Sequence, residues 1–175
     1  TVDLAERNPS CNYIGVDIKG ARLWKGAKYA TEHALGNVAF LRTRIEFIES
    51  LFAENEISEI WITFADPQIG REKKRLTAPL FMNRYRNFLC KGGIIHLKTD
   101  SRYLHEYSRA MAEQNGLEIL ACATDIYGAD RERLYESELS SICGRAAVDA
   151  LFEVQTFYES QYLAQGFPIT YLSFI

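Results

Sequence analysis

Short apolar runs alternate with longer stretches of helical spacing along almost the whole chain. Residues 12–18, "NYIGVDI", read as a buried strand. Residues 21–36 carry apolar positions at helical spacing and close on Gly36, a helix stop. "NVAFLRT" (37–43) is strand-like and "IEFIESLFAEN" (45–55) helical. "SEIWITFA" (58–65) is the clearest strand, with Ile60, Trp61, Ile62 and Phe64 in one run. Residues 77–90 have amphipathic helical spacing, with Thr77 as N-cap. "GGIIHLKT" (92–99) is a strand after a Gly-Gly turn, residues 101–116 a helix ending at Gly116, and 117–126 a strand. Residues 127–152 are predicted helical with irregular breaks, and nothing in their pattern assigns them a role. "TFYESQYLAQG" (156–166) is helical, and "ITYLSFI" (169–175) closes the chain as a strand.

Strands alternating with helices in this way predict an α/β fold with a doubly wound, mainly parallel sheet. Such sheets bind ligands beyond the carboxyl ends of their strands, near the switch in strand order. The polar residues at those ends are few: Asp17, Arg44 and Glu46, Asp66, and Thr99-Asp100. The opening "TVDLAERNPS" reads as the tail of a helix, so a first strand and its glycine-rich turn are expected ahead of it.

A length of 175 residues fits one domain spanning 1–175. The composition, 47% hydrophobic and 25% charged, supports a sizeable core. No apolar run approaches the roughly 18–20 residues that cross a bilayer. The cysteines Cys11, Cys90, Cys122 and Cys143 lack CxxC or Cys/His metal spacing. They are expected to be free, mostly buried thiols of a reducing cytoplasm, with no metal site. His33, His96 and His105 likewise form no ligand spacing.

The net charge of −3 argues against a nucleic-acid binder, but its distribution reverses that impression. Between Pro67 and Lys91 stand seven basic residues and one acid, Glu72, within an otherwise acidic chain. One concentrated basic segment suits a phosphate-rich partner. A solvated helix face beside a loop is the plainer alternative.

Each strand-end acid also has two readings. Asp17 is placed to accept hydrogen bonds from ribose hydroxyls, or to cap a helix. Asp66 is held at the cleft rim by Pro67, or merely opens an Asx turn. Asp100 is a second acid at the same edge, or the N-cap of the helix that follows. Thr156 and Glu159 have capping-box spacing.

The order "NYIGVDI", "NVAFL", "FADP" with a basic run and "RL", "GGIIHLKTD" and a late "TFYE" resembles the bacterial tRNA (guanine-N7-)-methyltransferases. The resemblance covers the chain from Thr1 to Phe174. It implies a Rossmann-like S-adenosylmethionine-dependent methyltransferase with an antiparallel C-terminal strand, acting on a guanine in the variable loop of tRNA. It also implies roles. Asp17 would hold the cofactor ribose, with Arg44 and Glu46 near the adenine. At Asp66 the cofactor and target guanine would meet, making it the catalytic candidate. Asp100, Thr156 and Glu159 would bind the substrate base, and Lys73, Lys74 and Arg75 the tRNA backbone. Three positions depart from the family. "DPQIGREKKR" is shorter than its usual counterpart, Gly70 stands where a substrate-binding lysine is expected, and Arg44 replaces an acid.

Two other functions share parts of this pattern. A nicotinamide-dependent Rossmann oxidoreductase also uses a strand-end ribose acid, but "DP" after the fourth strand argues against it. A noncatalytic RNA-binding module would need the basic run and no cofactor loop.

Overall fold

The computed structural model describes every residue from Thr1 to Ile175. The chain divides into two compact units, Thr1–Phe52 and Ala53–Ile175. The first contains α1 (Val2–Arg7), β1 (Tyr13–Asp17), α2 (Gly20–Glu32), β2 (Val38–Arg42) and a 3-10 helix at Ile45–Ser50. β1 and β2 pair in parallel, with Asp17 opposite Arg42. Parallel partners require a crossover, which α2 supplies. Glycine inside a helix costs about 1 kcal/mol relative to alanine. Gly26 is nonetheless needed in α2, because a β-carbon there would lie 2.6 Å from the Phe40 ring. The missing side chain is what lets α2 settle on β2.

Two boundaries differ from expectation here. α2 stops at Glu32, before Gly36. Ala34 takes the left-handed position at φ +53°, and the Leu35 amide reaches back 2.9 Å to the Ala30 carbonyl. That is a Schellman closure formed around alanine instead of glycine. The segment expected to be helical through Asn55 forms only the short 3-10 helix.

The second unit contains β3 (Ile57–Thr63), a 3-10 turn at Glu72–Lys74, α3 (Pro79–Tyr85), β4 (Leu89–Thr99), α4 (Arg102–Gln114) and β5 (Ile119–Ala123). α5 (Arg131–Tyr135), α6 (Glu138–Cys143), α7 (Arg145–Glu153), α8 (Phe157–Ala164) and β6 (Thr170–Phe174) complete it. The strand order is β3-β4-β6-β5, with β3 and β4 parallel and β6 antiparallel to both neighbours. Alternation along the strands divides the core between the two faces. Ile94, Ala121, Ala123 and Tyr171 pack with Leu134, Leu139, Val148 and Leu151 of α5–α7. On the other face Ile95 and Phe174 lie beside Met82 and Tyr85 of α3, and Cys122 approaches His105 of α4. Helices therefore cover both faces, as the alternating pattern predicts, and residues 127–152 acquire a role as the cover of one face.

Thr77 is not a cap. It is fully buried, and its hydroxyl accepts a 2.7 Å hydrogen bond from Ser108 of α4. The helix after it is short because the chain re-enters the sheet at Leu89. All four cysteines are free, but none is buried, against expectation. No helix is long and apolar enough to cross a membrane, and no group of His, Cys, Asp or Glu could hold a metal ion.

The turn after β5 is organised by Asp130. One oxygen of its carboxylate accepts from the Thr124 amide (2.6 Å), the Thr124 hydroxyl (3.0 Å) and the Asp125 amide (3.1 Å). Burial alone would raise its pKa. The hydrogen bonds and Arg133 outweigh that and hold it below the ordinary carboxylate value. Stability from this group is present above the unfolded pKa near 4 and lost as pH falls through the folded value. Asp130→Ala is expected to cost about 1–3 kcal/mol at neutral pH. The difference from the parent should shrink in urea titrations carried below about pH 4. A gap that stays constant with pH would show that the charge is not what holds the turn.

Candidate active site

At one edge of the second unit, β3 and β4 end side by side, with Thr63 in register with Lys98. The Phe64 amide donates to the Lys98 carbonyl at 2.9 Å, so the pairing continues one residue past β3. The chain then turns sharply. Phe64 and Gln68 both adopt positive φ, +49° each, which costs a non-glycine residue about 1–3 kcal/mol. Between them Asp66 is exposed, and one oxygen accepts from the Gln68 amide at 2.9 Å. The Asx turn anticipated as the plainer alternative is thus present. It occupies one oxygen of an exposed carboxylate.

Asp100 follows β4 by one residue. It does not cap α4, because Ser101 does, accepting from the Leu104 amide at 3.2 Å. The Asp100 carboxylate has no intramolecular partner. Two acids, neither neutralised by an ion pair, therefore stand at neighbouring strand ends.

The basic run divides into two kinds of residue. Arg71, Lys73 and Lys74 are exposed, and the two lysines ride on the 3-10 turn. Arg75 was expected to contact substrate, and the structure contradicts that. It is 2% exposed. Its guanidinium donates to the carbonyls of Pro67 (2.9 Å) and Gln68 (3.3 Å) and to the Tyr103 hydroxyl (2.9 Å). It also lies over the Tyr107 ring, 3.9 Å from the centroid. Arg75 is a clamp binding the Asp66 turn to α4. Tyr103 and Tyr107, four apart on one helix face, are the signal in the sequence that a stacked arginine should be sought.

Thr156 and Glu159 form a complete capping box at the start of α8. The Thr156 hydroxyl accepts from the Glu159 amide, leaving its own proton unused. Glu159 is fully buried, so direct contact with a base, as the resemblance implied, is not open to it here. Its carboxylate is occupied by Lys98, Tyr127 and the Thr156 amide.

In the first unit, Asp17 ends β1. One oxygen accepts from the Lys19 amide at 2.9 Å, and the other lies 3.5 Å from Arg22. A carboxylate has about four acceptor sites, so room remains for the two hydroxyls of a ribose. Its side chain is 27% exposed, which keeps it accessible. Asp17 therefore keeps acceptor capacity open at the end of β1. Arg44 and Glu46 are exposed and pair with each other at 3.2 Å.

The first unit thus carries one strand-end acid, and the second carries two beside exposed cations. The family described as "Putative methyltransferase" matches residues 1–136. A tRNA (guanine-N(7)-)-methyltransferase of Christiangramia forsetii is 51% identical over 99% of this chain and 72% of its own. The chain belongs to this family. Enzymes of the same name from Bacteroides fragilis and Porphyromonas gingivalis are each 45% identical. The chain spans 63% of the Bacteroides enzyme and 65% of the Porphyromonas enzyme, under two thirds of either. Among solved structures, the 16S rRNA methyltransferase KamB superposes with a TM-score of 0.61 at 16% identity, covering 98% of this chain and 80% of that one. The [4+2]-cyclase SpnF gives 0.57 at 17% identity, over 99% and 68%. Both show the Rossmann-like methyltransferase fold. That one of the two is a cyclase is a reminder that fold alone does not fix chemistry.

Proposed function

We propose that the protein transfers the methyl group of S-adenosylmethionine to N7 of a guanine in the variable loop of tRNA. The observation that carries this reading is the pair of un-neutralised acids, Asp66 and Asp100, at adjacent strand ends beside Arg71, Lys73 and Lys74. The names of the relatives supply the rest. When bound, the cofactor contributes a sulfonium methyl as the electrophile.

Guanine N7 carries an in-plane lone pair and no proton, so no general base is required. Catalysis then rests on alignment. Asp66 and Asp100 are acceptors, matched to the donors at guanine N1 and N2. Adenine presents an unprotonated N1 there and would be refused. The methylated ring is cationic, and a fixed carboxylate stabilises the charge as it develops. Asp17 holds the ribose of the cofactor, and Thr156 offers its free hydroxyl proton to the base. A guanine in a loop is the natural target, because the deep RNA major groove hides N7 within a duplex. A tRNA substrate places the work in the cytoplasm.

The test is product mapping. tRNA incubated with labelled S-adenosylmethionine should carry its label on guanosine N7, revealed by aniline-induced cleavage at a variable-loop guanine. Label on another atom or in another loop overturns the reading. The exposed cations offer a second check. Replacing Lys73 and Lys74 with Ala should flatten the slope of log affinity against log salt by about 1.5–2 units. The loss should be similar for all tRNAs. A parental slope would mean that they face away from RNA.

A further inference from the structure

Lys98 is the penultimate residue of β4, and its side chain is 4% exposed. A lysine is almost never so buried unless paired. Its ammonium lies 2.5 Å from Glu159 and donates to the carbonyls of Leu151 (2.6 Å) and Val154 (3.3 Å). Those carbonyls belong to the last turn and C-cap of α7, where cations are favoured by the exposed backbone dipoles. Glu159 in turn accepts from the Tyr127 hydroxyl (2.8 Å) and the Thr156 amide (3.2 Å). Gln155 donates to the Tyr127 oxygen at 3.1 Å. The Lys98 ammonium has three acceptors and both Glu159 oxygens have donors, and the set spans β4, the turn after β5, α7 and α8.

The backbone of the same lysine accepts the Phe64 amide at the start of the Asp66 turn. A second tether runs in parallel, since the Phe64 ring stacks on Tyr162 of α8, centroids 6.2 Å apart at 17°. The α7–α8 junction is thus fastened to the strand edge that carries Asp66 and Asp100. Burial draws the ammonium toward neutrality, and Glu159 opposes that. Burial and the Glu159 hydrogen bond both keep the Tyr127 phenol protonated.

We infer that Lys98 and Glu159 are positioning residues for methyl transfer: their buried pair sets where the α7–α8 junction, and with it Thr156, stands relative to Asp100. This rests on the proposed methyltransferase function. It gives Glu159 a task other than touching the base.

The test is Lys98→Met/Glu159→Leu, with Tyr127→Phe as a milder companion that removes one hydroxyl. The apolar pair removes two buried charges but leaves the Leu151 and Val154 carbonyls, the Tyr127 hydroxyl and the Thr156 amide without these partners. The melting temperature should therefore fall, and rates are compared at a temperature where parent and variant are both folded. Amide exchange at residues 154–157, read without substrate, should accelerate. kcat should fall by roughly 10–100-fold, the cost of small misplacement, with cofactor affinity unchanged. Tyr127→Phe should move exchange and kcat in the same direction by less. Unchanged exchange in both variants overturns the tether, whatever the enzyme's activity. Faster exchange with parental kcat overturns the positioning role. A parent that does not methylate tRNA at all, with exchange still accelerated in the variants, removes the proposed function and the catalytic purpose of the pair together while leaving the tether standing.

Discussion

Asp66→Asn is expected to lower single-turnover methyl transfer, measured at saturating cofactor, by roughly 10²–10³-fold. tRNA binding should be largely spared. The amide keeps the shape of the side chain and can still accept from the Gln68 amide, so the turn survives. What it loses is charge, and it turns a donor toward the guanine donors. The residue stands on a segment fixed at both ends, by the Phe64–Lys98 backbone bond and by Arg75. The variant therefore reports on electrostatics and not on loop order. Near-parental turnover would leave Asp66 as a turn residue. Equal losses in binding and rate would mean that it holds ground and transition states alike.

Arg75→Leu is expected to destabilise the second unit by about 1–3 kcal/mol, since it leaves the half-buried carbonyl oxygens of Pro67 and Gln68 without their donor. Turnover should drop beyond what the unfolded fraction explains, because the Asp66 turn is no longer pinned to α4. Arg75→Lys should rescue little. An ammonium cannot bond both carbonyls and the Tyr103 hydroxyl while lying flat on Tyr107. Urea unfolding beside single-turnover rates decides the matter. If Arg75→Leu keeps parental stability and instead flattens the salt dependence of tRNA binding, the arginine faces RNA and the clamp is wrong. That outcome would look like the one expected for Lys73 and Lys74, so the two experiments calibrate each other.

The strands were readable as short apolar runs, buried on both faces in Thr170–Phe174 and only partly buried in Ile57–Thr63. Ile57–Thr63 and Thr170–Phe174 lie close to where the pattern put them. Helix ends were less readable. Ala34 does the work of a C-terminal glycine, and Thr77 looks like a cap but is buried against Ser108. The strand-end placement of Asp17, Asp66 and Asp100 was legible because a strand end is a position that pattern alone can locate. The division of the basic run was not. Nothing in "REKKR" says that its last member turns inward, since that depends on two tyrosines about thirty residues away. Lys98 was hidden for the same reason. Its partner is sixty-one positions further on, and only the tertiary fold brings them together.

The left-handed residues around Asp66 bear on how far this protein can be improved. Gln68 sits at φ +49° without the freedom of glycine. Selection for heat resistance would find Gln68→Gly readily, because it removes steric tension from a conformation the chain already holds. The same exchange would widen the range of shapes open to the turn and blur the aim of the carboxylate. If Asp66 serves methyl transfer as proposed, durability and speed are set against each other at a single residue, and variants bred for one should be screened for the other.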